Sequence, residues 1–179
     1  MPTDPISLAT LNALDRDAFT VALADLFEGP PEIVAAAWAR RPFASREALH
    51  AALCEVMRAL PDERKVALIR AHPDLVGRAA LAGTLSPAST AEQAAAGLDN
   101  LTPGEIAAFQ QLNAQYQARF GFPFVICARE NRKQSILAGF AARMEHTHEQ
   151  EIATALAEVA KICWLRLRDT VAAEAEEQP

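Results

Sequence analysis

The chain has 179 residues, 51% of them hydrophobic, so it is of single-domain size, can bury a core, and is not of disordered composition. A formal net charge of −6 argues against a nucleic-acid partner, which needs a basic surface, and no apolar run approaches the roughly 18 residues of a membrane span. Cys54, Cys127 and Cys163 are widely spaced without a CxxC pair, which argues against a disulfide framework or a cysteine-rich zinc site and leaves buried, inert thiols. The opening MPTDPISLATLNAL has no basic block before an apolar run, and the closing AEAEEQP carries no Ser-Lys-Leu address. The expectation is one soluble cytoplasmic domain over residues 1–179, with 1–7 and 172–179 loosely ordered.

Residues 1–14 read as a Pro-containing extended lead-in. Asp15 or Asp17 caps a helix that runs to about Phe27 and stops at Gly29; Pro30-Pro31 opens a second, ended by Pro42. Ser45 caps a third, on which Leu49, Ala52, Leu53, Val56, Met57 and Leu60 form an apolar stripe. A helix from Glu63 to about Ala71 runs into Pro73, which pushes His72 to the helix edge or just past it. Gly77, Gly83 and Pro87 mark an irregular connector. Ser89 with Glu92 has capping-box spacing and opens a short helix ended by Gly97; Thr102-Pro103-Gly104-Glu105 opens another, capped by Gly121. Phe122–Ala128 reads as a short buried strand or an extended connector, since no second strand exists to pair with it. Helices from about Lys133 to Met144 and from about Glu149 into the 170s complete the chain. The class is all-α: a single irregular bundle of about eight helices with one short extended segment.

Chemistry concentrates between Ala71 and Gln93. His72 either caps helix carbonyls or, held stiffly by Pro73 and by Asp74 bonding back to the turn, moves a proton near neutral pH. Glu92 either reaches back to the Ser89 N–H as a cap or joins Ser89, Thr90 and Gln93 in binding a ligand rich in amide groups. In the last helix Ile152, Leu156, Val159, Cys163, Arg166 and Thr170 form an inward seam that includes Arg166 and omits Arg168. A buried arginine needs an anion, from an internal acid or from a substrate carboxylate. His146 and His148 lie two apart and diverge on a helix, a poor metal pair. Arg129, Arg132 and Lys133 read as a solvated turn; Asn113, Tyr116 and Arg119 ride the edge of a core helix.

Together AHPDLVGRAA, TLSPASTAEQAAAGLD, FQQLNAQYQARFGFPFVICAR and EVAKICWLRLRD, with RRPF near residue 41, resemble 2-oxo-4-hydroxy-4-carboxy-5-ureidoimidazoline (OHCU) decarboxylase over roughly residues 8–170. That resemblance implies an all-helical enzyme without cofactor or metal, often dimeric, that forms (S)-allantoin and CO2 in urate degradation. It implies His72, Glu92 and Arg166 as catalytic groups. It further implies substrate contacts at Pro73, at Ser89, Thr90, Ala91, Glu92 and Gln93, and at Phe124, Val125, Ile126, Cys127 and Ala128, the last five mainly through backbone. The implied partners are a small ureidoimidazoline substrate and a second copy of the chain, with no nucleic acid or membrane. The alternative from the residues is a non-catalytic helical module that binds a ureide or purine-derived ligand.

Overall fold

The structure is a computed structural model that describes residues 4–173. The outermost residues expected to be loosely ordered, 1–3 and 174–179, lie outside the described residues. Among the described residues there are ten α-helices and no strand. None of these helices is long and apolar enough to cross a membrane. They fall into two compact units, one from residues up to Pro61 together with those from Ala160 onward, the other Asp62–Val159.

The first unit departs from expectation at its start. Ser7 accepts the Thr10 N–H at 3.0 Å and nucleates α1 (Leu8–Ala13), whose Leu8 and Leu11 are buried; a side-chain cap outweighs the mixed composition of the lead-in. Asp15 caps α2 (Arg16–Ala22), and α3 (Glu32–Ala37) follows Pro31. Ser45 caps α4 (Arg46–Arg58). α3 packs against α2 and α4, which buries Phe19, Ile33, Val34, Leu49, Leu53 and Met57. Arg41 donates to the carbonyls of Asn12 and Leu14 and lies 4.1 Å over the Trp38 ring. A single parallel bridge joins Ile6 to Val171: the Ile6 N–H donates to Thr170 at 2.9 Å, and the Ala172 N–H returns to Ile6 at 2.9 Å.

The second unit contains α5 (Asp62–Arg70), the short α6 (Arg78–Leu81), α7 (Pro87–Ala95), α8 (Pro103–Phe120) and α9 (Lys133–Arg143). α10 (His148–Thr170) begins in this unit and ends in the first. The Thr102–Glu105 capping box forms as its spacing predicts, and Gly121 ends α8 at φ +77°. The core is aromatic: Phe109, Tyr116, Phe122, Phe124 and Phe140 are buried, with Phe124 and Phe140 stacked at 3.8 Å between centroids. Residues 123–127 are an extended connector, the second of the two readings, because no strand is there to pair with them.

Candidate functional site

His72 stands one residue beyond the last hydrogen-bonded turn of α5. Pro73 disfavours helical geometry at residue 72, and the His72 N–H closes on the Ile69 carbonyl at 3.1 Å. The buried imidazole folds back, and its Nδ1 lies 2.9 Å from the Leu68 carbonyl oxygen. A carbonyl can only accept, so Nδ1 carries the proton, and in the neutral ring Nε2 is the nitrogen without one. The carbonyl-capping alternative is thus realised at Nδ1.

The turn after Pro73 is held from α7 and α8. Asp74 meets its own turn only through its carbonyl, which accepts the Gly77 N–H at 3.3 Å. Its carboxylate, expected to bond back to the backbone, instead accepts Gln117 Nε2 at 2.8 and 3.0 Å. Asn113 Nδ2 donates to Leu75 at 2.8 Å; Gln93 accepts the Val76 N–H at 3.0 Å and donates to the Asp74 carbonyl at 3.4 Å. Val76 is β-branched at φ +53°, a conformation that costs on the order of 1–3 kcal/mol and persists only where neighbours impose it. At Gly77 a Cβ would stand 2.5 Å from Asp74 Cβ, so the turn closes only around glycine. Among the described residues Asn113 Oδ1 is buried without a hydrogen-bond partner, a second local cost at this turn.

Glu92 is not a helix cap. α7 starts three residues earlier than the Ser89–Glu92 spacing suggests, with Ser86 at the N-cap accepting the Ser89 N–H at 3.1 Å and Pro87 at the first helical position. Glu92 therefore lies in the second turn, half-buried, on the face that also carries buried Ser89 and Gln93. Thr90 and Ala91 are exposed, and the Thr90 hydroxyl donates to the Ser86 carbonyl at 3.0 Å. The Gln93 side-chain amide, expected to meet a ligand, is committed to the Asp74–Val76 turn.

α7 packs against the 3-10 turn Ala128–Glu130, which ends the extended connector. Phe124, Val125, Cys127 and Ala128 are buried and Ile126 is half-buried. The Val125 carbonyl accepts Arg143 Nη1 at 2.7 Å, and the Cys127 N–H donates to Glu158 Oε2 at 2.8 Å. Burial, then the charges of Glu130, Glu158 and Glu92, push the Cys127 thiol up to about 11. The Glu92 carboxylate is thereby felt at this segment.

Behind the connector lies a polar network that the sequence reading did not single out. Glu151, fully buried, accepts from Arg143 and from the Tyr116 hydroxyl, and its other oxygen is 2.8 Å from His146 Nδ1. Burial and this carboxylate hold the Tyr116 phenol well above its usual range. The available signal was the spacing Glu151, Ala155, Glu158, Ile162, a second inward stripe on α10 beside the one that was read. His146 thus serves Glu151, and His148 bonds to the Phe120 carbonyl at 3.2 Å. Among the described residues no three His, Cys, Asp or Glu side chains gather where a metal would bind.

An open cleft of about 640 Å³ borders His72 and Pro73, with Arg70, Asp74, Gln117 and Phe122 among its other walls. Arg166 belongs to the first unit. It is buried on the α10 seam as expected, with Nη2 3.0 Å from Glu28 Oε1 and Nη1 3.0 Å from the Asp25 carbonyl. The internal acid of the two alternatives is present.

This is a helical protein whose second unit sets His72 at a cleft of small-molecule size; Glu92 and the Phe124–Ala128 backbone belong to the same unit but are not among the walls of that cleft. The chain belongs to the OHCU decarboxylase family, whose profile matches residues 12–168. It is 42% identical over 166 residues to the 2-oxo-4-hydroxy-4-carboxy-5-ureidoimidazoline decarboxylase of Amia calva, covering 93% of this chain and 95% of that one. Its fold superposes on a crystal structure of (S)-allantoin synthase with a TM-score of 0.74 at 26% identity. The match covers 94% of this chain and 54% of the other, so this chain spans about half of that length. A crystal structure of OHCU decarboxylase in the presence of (S)-allantoin matches with a TM-score of 0.64 at 18% identity, covering 84% and 94% of the two chains, a likeness of fold.

Proposed function

We propose that the protein decarboxylates 2-oxo-4-hydroxy-4-carboxy-5-ureidoimidazoline to (S)-allantoin and CO2, with no cofactor. The observation that carries the reading is the pinned His72 ring in the same unit as Glu92 and the Phe124–Ala128 backbone. In the substrate the carboxylate-bearing carbon carries a hydroxyl and adjoins a C=N bond. When the C–CO2 bond breaks, its electron pair forms a C=C bond with the adjoining carbon, and the C=N nitrogen takes the displaced charge and a proton. The hydroxyl then becomes a carbonyl as its proton leaves, and a proton added to the ureido-bearing carbon from one face gives a single enantiomer. In the neutral ring His72 Nε2 holds the lone pair, which suits accepting the hydroxyl proton better than holding the carboxylate. Glu92 sets the charge around that ring, and fixed dipoles at the connector stabilise charge as it develops on the substrate.

The catalytic roles of His72 and Glu92 and substrate contacts at Pro73, at Ser89–Gln93 and at Phe124–Ala128 belong to this proposal; support comes from the family pattern and from their common unit. Arg166 carries the family's assignment, while its observed bonds are to Glu28 and Asp25. Assembly as a homodimer and a cytoplasmic location rest on the family resemblance. The test follows allantoin by circular dichroism as urate is converted by uricase and hydroxyisourate hydrolase, with and without this protein. Faster, dextrorotatory product formation is expected. A racemic product at an unchanged rate would leave only a non-catalytic ureide-binding module.

A further inference from the structure

The two hydrogen bonds into the connector fix more than the groups they touch. In a planar trans peptide the C=O of one residue and the N–H of the next point in opposite directions. The Val125 carbonyl is drawn to Arg143, so the Ile126 N–H points away from Arg143; the Cys127 N–H is drawn to Glu158, so the Ile126 C=O points away from Glu158. Both Ile126 backbone groups are thereby turned off the supporting side chains, and among the described residues neither takes a hydrogen bond. Ile126 is also the least buried of Phe124–Ala128. One donor and one acceptor on the same residue complement a urea or amide group, which offers C=O and N–H side by side.

We propose that Arg143 and Glu158 are positioning residues that hold these two peptide planes so that Ile126 presents its donor–acceptor pair to the ureide part of the substrate. The proposal rests on the decarboxylase reading. Its support is built to be rigid. Arg143 is buried, anchored on fully buried Glu151, and lies 4.3 Å over the Phe124 ring. On α9, Gly139 brings the backbone so close that an added Cβ would stand 3.3 Å from Phe124 Cζ and 3.7 Å from Ile126 Cδ1.

The test compares Glu158→Ala, which removes the acceptor, with Glu158→Gln, which keeps one, and with Leu156→Ala, a buried truncation on the same helix. Steady-state turnover, (S)-allantoin affinity and melting temperature are measured for each. Losing one ordered contact to the ureide raises KM and the allantoin Kd about tenfold in Glu158→Ala while kcat changes little, the signature of lost uniform binding. Glu158→Gln stays near wild type, and Leu156→Ala melts lower with KM unmoved. Arg143→Lys, which keeps the charge beside Glu151, provides a second route if Glu158→Ala does not fold, and is expected to raise KM likewise. Wild-type KM and Kd in Glu158→Ala, or in Arg143→Lys where that variant stands in, overturn the proposal. So does equal damage in Glu158→Gln or in Leu156→Ala. A wild-type protein that makes no (S)-allantoin overturns the decarboxylase reading and this one together; a working wild type with unmoved variants overturns this one alone.

Discussion

At His72 the Nδ1 nitrogen serves the fold, and the proposal gives Nε2 the chemistry. Because Nδ1 is bound to Leu68, His72→Ala removes both, and a melting-temperature change accompanies the loss of activity. Glu92 offers the cleaner measurement. It sits in the second turn of α7, past the Ser86 N-cap, and Gln keeps its size and its hydrogen-bonding oxygen, so Glu92→Gln is expected to leave the melting temperature nearly in place. Its kcat/KM should fall by about 10²-fold or more, the usual scale for a proton-transfer group. Retained activity would reduce Glu92 to a bystander. The sequence made His72 and its helix-edge position legible because proline acts on its immediate neighbour. It misplaced the cap because Ser86, Ser89 and Thr90 all bear hydroxyls; Pro87, fit for the first helical position, selects Ser86. Asn113 and Gln117 could not be recognised as clamps on residues 74–75, about 40 positions earlier, since nothing local marks a side-chain amide bound for a distant carbonyl.

Among the elements, α10 was read most fully and still only in part. Its seam through Leu156, Val159 and Cys163 is buried, and Arg166 on it is buried while Arg168 is exposed. The neighbouring stripe with Glu151 and Glu158 was missed, because acids on an apolar face look like solvent-facing residues until their partners are known. The extended connector was legible as extended but not as supported; its hydrogen bonds come from α9 and α10 side chains rather than from another strand. The Arg166–Glu28 pair yields a prediction for its own unit. Arg166→Met takes the guanidinium away from a largely buried carboxylate and is expected to cost about 2 kcal/mol of stability, less than a fully enclosed pair because Glu28 keeps some exposure. Chemical denaturation of Arg166→Met, Glu28→Gln and the double variant measures the coupling; additive losses would dissolve the pair. A fall in kcat beyond the unfolded fraction would favour the family's catalytic assignment of Arg166.

For the whole molecule the all-helical class was legible from composition and periodicity, since helices announce themselves in stretches of about four turns. The grouping of those helices into two units was not, because it depends on which apolar faces meet. Both units bury ionisable groups in the neutral state. Burial pushes the thiols of Cys54 and Cys163 up in the first unit and those of Cys127 and the Tyr116 phenol up in the second. Below a thiol's ordinary value of 9.0, folded and unfolded chains both hold the proton, and the contribution to stability is constant. Between there and about 11 for Cys127, only the unfolded chain releases it, so stability falls as pH rises. Thermal melts from pH 8 to pH 11 should show this decline, and Cys127→Ala should soften its slope. A flat profile would mean that these groups ionise in place.

The bridge between Ile6 and Val171 has a consequence for how the chain can be rearranged. It ties the two ends of the described chain together within the first unit, so a short linker can join them without spanning the protein. New ends then belong where the backbone is exposed and makes only local bonds, and Gly83, exposed at φ +67° with open space around it and bonded only to nearby α6, is such a place. A circular permutant that begins at Thr84 and ends at Gly83 is expected to fold and keep a helical circular dichroism spectrum. Order along the polypeptide would then be an accident of genetics, and the same helices could be encoded starting from the middle.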